Sequence, residues 1–320
     1  MRHLLFIVRG CRAVRGFWQM IFSERRSYPG MQIKMIGIDL DGTLLTKNKV
    51  MTSVSRQALE KAIQAGVEVV PVTGRPYTGV PADVLEIPGI RYVITSNGAN
   101  TYDCGSGKVL RKKHLPHALT RQILEQAAGE DVIREIFIKG VGFHDFRTQG
   151  MLEARFSVAP PILAYINRSR KIVPDFEGLL SDTTAHVENI SLMFPTQEAR
   201  DEVLQKLYSL GEHEKNMPLQ ILKPWKTDLE ITHVQADKWL ALKDLGERLG
   251  IPADEIMALG DGDNDRPMLR EAGYSVAMGN APDFVKETAD FCTLDNEHDG
   301  AAAAILAVLE GNVEMKKERD

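Results

Sequence analysis

The stretch Met35-Ile36-Gly37-Ile38-Asp39-Leu40-Asp41-Gly42-Thr43 decides how this chain is read. Its apolar run, Met35–Leu40, predicts a buried β-strand that ends in a carboxylate-rich loop. Side chains alternate along a strand, so Asp39 and Asp41 fall on the same side, and Gly42 lets the chain turn away sharply. Two carboxylates so placed do not both ionise comfortably unless a cation or a shared proton relieves their repulsion. A divalent metal is one answer, and a nucleophile beside a general acid is another. The alternative without chemistry is a solvated turn after a strand.

Downstream the pattern repeats as strand, loop and helix. An amphipathic helix is predicted over Ser53–Ala65, stopped by Gly66. Val67–Val72 reads as a second strand ending in Thr73-Gly74-Arg75-Pro76, and Arg91–Thr95 as a third ending in Ser96-Asn97-Gly98. The texture returns after about residue 232, with a helical stretch Asp237–Leu249 and apolar runs Ile256–Leu259, Tyr274–Met278 and Phe291–Thr293. A final helix is predicted over Gly300–Leu309. Short apolar strands alternating with helices indicate an α/β fold with a parallel sheet, whose ligands sit outside the carboxyl ends of the strands.

Between these halves the sequence reads as a separate α+β insertion. Helices are expected over Ala118–Ala128 and Gln197–Leu210, with strands over Val132–Ile138, Val187–Phe194, Leu219–Leu222 and Asp228–Ile231. The expected division is a core of residues 31–112 and 233–320, an insertion of residues 113–232, and an N-terminal extension of residues 1–30. That extension holds six Arg, no Lys and one Glu, and its longest apolar run is too short for a signal-peptide core. It reads as an appended or mis-called start ahead of Met31, with an organellar leader as the alternative.

Composition narrows the partners. With the extension carrying +5 of a whole-chain charge of −5, the remainder carries −10, which lacks the basic footprint of a nucleic-acid binder and suits a protein holding a cation among carboxylates. Three scattered cysteines form neither a disulfide framework nor a zinc site, so a reducing cytoplasm is the expected location. No run approaches the length of a membrane span.

Three further segments carry chemistry. Asp261-Gly262-Asp263-Asn264-Asp265 follows an apolar strand, but it is not an EF-hand: position 6 is Arg266 and position 12 is Ala272. A carboxylate loop able to complete an oxygen-ligand site, of the kind magnesium prefers, remains. Thr73-Gly74-Arg75 joins a hydroxyl, a flexible backbone N–H and a guanidinium, which suits a phosphate as well as a helix cap. Lys238 on its own is an ordinary surface charge. No Walker A, GxSxG or HExxH sequence occurs, and His233 and His298 read as structural or exposed.

Taken together, Asp39-x-Asp41-Gly42-Thr43, Thr73-Gly74-Arg75, Lys238 and Gly260-Asp261-x-x-Asn264-Asp265 resemble the haloacid dehalogenase-like hydrolases, a superfamily of Rossmann-like phosphatases and relatives. Ser96-Asn97-Gly98-Ala99 and Val276-Ala277-Met278-Gly279-Asn280-Ala281 look like the Cof-type sugar-phosphate phosphatases, in which a large α/β cap is inserted in the core. One departure is Trp239, where the family usually has Gly after the motif lysine.

The resemblance implies that Asp39 is the nucleophile forming an aspartyl-phosphate, and that Asp41 is the general acid/base. It implies Mg2+ held by Asp39, the backbone carbonyl of Asp41 and Asp261. Thr73, the backbone N–H groups of Leu40 and Gly74, Lys238 and Asn264 would hold the phosphate oxygens, while Asp265 orients Lys238 or a water of the ion. Arg75 and Asn97 would touch the substrate at the mouth, and the cap would choose the leaving group. The implied substrate is a small phosphorylated metabolite, with no nucleic-acid or membrane partner, for a monomer or homodimer. A phosphomutase on the same core and a non-catalytic sensor are the alternatives.

Overall fold

Four apolar residues, Met35–Ile38, form strand β1, and all four are buried. The structure is a computed structural model that describes residues 32–311 except 130, 155–158, 182–185, 214–217 and 225. The Arg-rich extension 1–30 lies outside the described residues.

The strands that follow are β2 (Glu68–Pro71), β3 (Tyr92–Thr95), β4 (Asn100–Asp103), β5 (Val109–Lys112), β6 (Ile133–Ile138), β7 (Val141–Asp145) and β8 (Arg170–Val173). They continue with β9 (Val187–Met193), β10 (Leu219–Leu222), β11 (Asp228–His233), β12 (Ile256–Gly260), β13 (Tyr274–Ala277) and β14 (Phe291–Cys292).

A parallel sheet of order β14-β13-β12-β1-β2 forms the core. Alternation sends Ile36, Ile38, Val69 and Leu259 into one layer, packed on helices Ser53–Gln64 and Gly300–Leu309. Met35, Val70 and Ala258 enter the opposite layer, against helices Lys238–Leu249 and Arg266–Glu271. Gly37 allows that second approach, because a Cβ there would lie 2.4 Å from Leu242. A sheet buried on both faces by helices explains why its strands read as continuous apolar runs.

The stretch Arg91–Thr95 departs from expectation. It forms β3 in an antiparallel sheet of order β3-β4-β5, which joins the edge of the parallel sheet through a parallel Val72–Ile94 bridge, the Thr73 N–H donating to the Ile94 carbonyl at 2.9 Å. The physical reason is the turn Ser96-Asn97-Gly98, with φ values of 51°, 54° and 93°, which reverses the chain straight into β4 instead of leading to a crossover helix.

The inserted cap contains a six-stranded sheet of order β10-β11-β9-β6-β7-β8, antiparallel except between β7 and β8. One face, with Ile136, Ile190, Leu192, Leu229 and Ile231, packs on helices His117–Gln126 and Gln197–His213. By alternation the other face carries Glu135, Asn189, Ser191, Glu230 and Thr232. Strands β7 and β8 and helices Phe146–Ala154 and Pro160–Ser169 were not foreseen from sequence. The fold is thus α/β, a Rossmann-like parallel-sheet core with an inserted α+β cap.

Candidate active site

Asp39 follows β1 directly, and its backbone N–H donates to the Leu259 carbonyl at 3.0 Å, fixing the loop to the end of β12. Lys238 opens the helix Lys238–Leu249, whose N-cap Asp237 accepts from the Leu240 N–H at 2.9 Å. The Lys238 ammonium is 1% exposed and donates to Asp39 Oδ1 at 2.7 Å and Asp265 Oδ1 at 2.6 Å. Burial works against its charge, but Asp265 and Asp39 outweigh that and hold it protonated.

Asp261 completes the cluster. Oxygens of Asp39, Asp261 and Asp265 all lie within 4.8 Å of one another. Asp265 also closes its own loop, accepting at Oδ2 from the N–H groups of Asp261 at 2.9 Å and Gly262 at 2.8 Å. Thr43 and Asn280 hold Asp261, donating to Oδ1 at 3.0 Å and Oδ2 at 3.1 Å. Gly42, at φ +82°, brings the first loop so close that a Cβ there would fall 2.3 Å from Asp261 Oδ2.

Three carboxylates face one ammonium here. Burial, reinforced by Asp265, pushes Asp261 up to about 7, against the opposing pull of Thr43 and Lys238. Asp39 is likewise raised, by burial first and then by Asp265, Asp261 and Asp41, against the opposing pull of Lys238. An excess of buried negative charge on hard oxygen donors fits a divalent cation.

The carboxylate of Asp41 points elsewhere. Its oxygens accept from Arg75 Nε at 2.6 Å and Nη2 at 2.7 Å, and from Lys49 Nζ at 2.7 Å. Burial acts to raise this carboxyl, but the two cations outweigh it and hold it well below the usual carboxylate range. The Asp41 carboxylate therefore stands beside the group of carboxylates that Asp39, Asp261 and Asp265 form. Arg75 is itself buried, stacked 4.2 Å from the ring of Tyr165 in the cap.

Thr73, Gly74 and Asn97 sit behind this pair. Thr73 Oγ1 accepts from the Arg75 N–H at 3.2 Å, and the Thr73 carbonyl accepts from the Asn97 N–H at 3.0 Å. A Cβ at Gly74 would lie 3.0 Å from Asn97 Oδ1. That oxygen accepts from Asn264 Nδ2 at 2.9 Å, while Asn97 Nδ2 donates to Glu230 of the cap at 2.5 Å. Leu40 is fully buried within the apolar core. Beside these groups a cavity of about 230 Å³ lies between core and cap, lined by Asn97, Lys238, Asn264, Gln220 and Leu222 among others.

Sequence reasoning gave no role to Lys49, Asn280, Tyr165 or Glu230. Of these, Asn280 lies in a quoted motif, and the one available signal for Glu230 is that it is a charge between the apolar Leu229 and Ile231 of a predicted strand. Trp239 is buried in the apolar layer shared with Val72 and Ile94, so its bulk is absorbed behind the sheet.

A family model described as haloacid dehalogenase-like hydrolase matches residues 36–305. The chain belongs to the haloacid dehalogenase-like hydrolases. Within them it is of the Cof type, and it is a phosphatase. It is 31% identical over 275 residues to the 5-amino-6-(5-phospho-D-ribitylamino)uracil phosphatase YcsE of Bacillus subtilis, covering 86% of this chain and 95% of that protein. It is 28% identical over 289 residues to the pyridoxal phosphate phosphatase YbhA of Escherichia coli, covering 87% and 100%. A solved haloacid dehalogenase-like hydrolase from B. subtilis superposes with a TM-score of 0.73 at 28% identity, covering 85% of this hydrolase and 99% of that chain. Among the described residues no helix is long and apolar enough to cross a membrane.

Proposed function

We propose that this hydrolase is a magnesium-dependent phosphatase of small phosphorylated metabolites, sugar phosphates foremost, working through an aspartyl-phosphate. The observation that carries the reading is the gathering of Asp39, Asp261 and Asp265 around one buried ammonium, with Asp41 a separate carboxylate alongside. Asp39, Asp261 and the backbone carbonyl of Asp41 would hold Mg2+, with Asp265 holding the loop, and the ion would let an anionic nucleophile meet an anionic phosphate.

Asp39 attacks phosphorus in line, splitting hydrolysis into two easier displacements. Lys238 neutralises charge on the transferring group and holds the Asp39 carboxylate in place. Thr73, Asn264 and the backbone N–H groups of Leu40 and Gly74 complete the set for the equatorial oxygens. Asp41 protonates the leaving alcohol and then takes a proton from the attacking water. Arg75 and Lys49 hold Asp41 as an anion in the state seen here, ready for the second step. For the first, the incoming phosphate competes for these two cations and frees the carboxylate to carry a proton.

The names of the two relatives point the same way, each being a phosphatase of a small phosphorylated compound. The reading includes a cytoplasmic location and a monomer or homodimer. Steady-state phosphate release over a panel of phosphorylated metabolites with Mg2+ tests it. Free phosphate in solution supports hydrolysis; phosphate retained on an isomerised product would make the enzyme a mutase, and no turnover of any ester would leave a sensor.

A further inference from the structure

Tyr165, on the cap helix Pro160–Ser169, has its ring between two arginines. The guanidinium carbon of Arg75, from the core, lies 4.2 Å from the ring centroid, and that of Arg170, from β8 of the cap, lies 5.1 Å from it. Arg170 Nη1 donates to the Tyr165 hydroxyl at 3.1 Å, and Arg170 Nε donates to Glu135 Oε2 at 3.0 Å. The Arg170 and Glu135 side chains are both buried, so a charge pair shielded from water moors the ring to the cap sheet.

The core side of the contact is as closely fitted. Arg75 Nη1 donates to the Gly79 carbonyl at 2.9 Å, while Nε and Nη2 grip Asp41. The space that a Gly79 side chain would need is taken by Tyr165: a Cβ there would lie 2.9 Å from its hydroxyl oxygen and 3.2 Å from Cε2. Next to Gly79, the Thr78 N–H donates to the Gly140 carbonyl at 2.9 Å and Thr78 Oγ1 to the Ser169 carbonyl at 3.2 Å, which seats this core segment on the cap. In-plane hydrogen bonds settle where the edge of the guanidinium points but leave its faces open. A ring on one face shuts out water there and adds a cation–π attraction that strengthens as the pair is desolvated.

We propose that Tyr165 is a positioning residue for the general acid/base: it braces the Arg75 guanidinium and, through it, the Asp41 carboxylate. The inference rests on the phosphatase reading above and deepens it. An arriving phosphate draws on the same cation. Unbraced, the guanidinium would swing to the phosphate and Asp41 would lose its orientation; with the ring on its face it keeps its plane. The brace comes from the cap, so Asp41 is aligned only while cap and core are together.

The test compares kcat/KM for an alkyl phosphate, whose departing alkoxide must be protonated, with that for p-nitrophenyl phosphate, whose phenolate leaves without a proton, in the full-length enzyme with Mg2+. Tyr165→Leu is expected to lower the alkyl value about tenfold or more and the aryl value by less than about threefold. Tyr165→Phe, which keeps the ring, is expected to hold both within about threefold of wild type. In an Arg75→Lys background, where the fork is lost, Tyr165→Leu is expected to lower neither value further. Equal loss for the two esters marks a structural role alone and overturns the proposal, as does no loss for either, or a Phe variant as damaged as the Leu variant. A selective loss that persists in the Arg75→Lys background would place Tyr165 on the leaving group itself and overturns it too.

Should Tyr165→Leu fail to fold, Gly79→Ala decides. Its added carbon displaces the ring and leaves in place the carbonyl that Arg75 uses, so the same selective loss is expected, and equal loss or none overturns the proposal. Failure of the underlying reading is distinct, because wild type would then release no phosphate from either ester.

Discussion

Lys238 Nζ bridges Asp39 Oδ1 at 2.7 Å and Asp265 Oδ1 at 2.6 Å, tying together carboxylates from either side of the inserted cap. Removing the ammonium leaves both carboxylates buried without compensation. Lys238→Met is expected to lower kcat/KM by at least about a hundredfold and to destabilise the fold by about 3–5 kcal/mol. Urea unfolding with and without Mg2+ and phosphate-release kinetics check both parts, and Mg2+ is expected to recover some of the stability and little of the rate.

Asp39→Asn keeps the shape of the side chain and removes the nucleophile. Turnover is expected to vanish, a loss of at least about a thousandfold, while circular dichroism and melting temperature stay close to wild type. Wild-type-like phosphate release would refute the assignment. Asp41→Asn is expected to be severely impaired too, more so for poor leaving groups, since an amide cannot protonate the departing oxygen.

Stability of the cation-free protein is expected to fall as pH rises. Burial raises Asp261 to about 7, above its unfolded value of roughly 3.9. Between those limits the folded state binds more protons than the unfolded one, so the unfolding free energy declines with pH across that window and levels above it. Mg2+ favours the ionised carboxylates and reverses the trend, so its stabilising effect should be larger at pH 8 than at pH 5. Melting curves with EDTA or Mg2+ across this range, for wild type and Asp261→Asn, measure the effect; the variant should lose most of the pH-dependent difference. EDTA should also silence the enzyme until Mg2+ returns.

Gly98→Ala tests the frame under the site. Gly98 has φ +93°, and a Cβ there would lie 2.2 Å from the backbone carbonyl oxygen of Asp237, the N-cap before Lys238. Backbone cannot yield as a side chain can, so a loss of about 3 kcal/mol is expected, with displacement of Lys238 and reduced turnover. Gly178→Ala, with nothing within 4 Å of its added carbon, serves as the control and should be neutral. Equal melting temperatures for the two variants would defeat this account.

The core was legible because its strands are covered by helices on both faces. Runs such as Met35–Ile38 and Ile256–Gly260 stay apolar throughout, and the loop chemistry begins where burial ends. Asp39, Asp261 and Asp265 could be picked out for the same reason, whereas Lys238, at the start of a helix, stood out only through the resemblance of the whole set of motifs. The stretch Val141–Asp145 was missed because its buried positions hold His144 and Asp145, polar groups turned toward other polar groups, so hydrophobic periodicity is absent. The Arg75–Asp41 fork was also beyond sequence, since spacing brings residues to one end of a sheet but does not say which oxygens a guanidinium will choose. Tyr165 and Glu230 come from the insertion, where no motif marks which side chains meet the core.

The central strand β1 pairs with β2, which follows it closely, and with β12, which comes after the entire cap. On the ribosome, Asp39 emerges 199 residues ahead of the lysine that will neutralise it. Until then one flank of β1 has no neighbour, and the growing polypeptide must keep that edge from pairing wrongly while the insertion folds as a unit. Hydrolytic competence therefore arrives in a single late event, when the C-terminal third closes the sheet, and a prematurely terminated product would be inert however well its cap were formed.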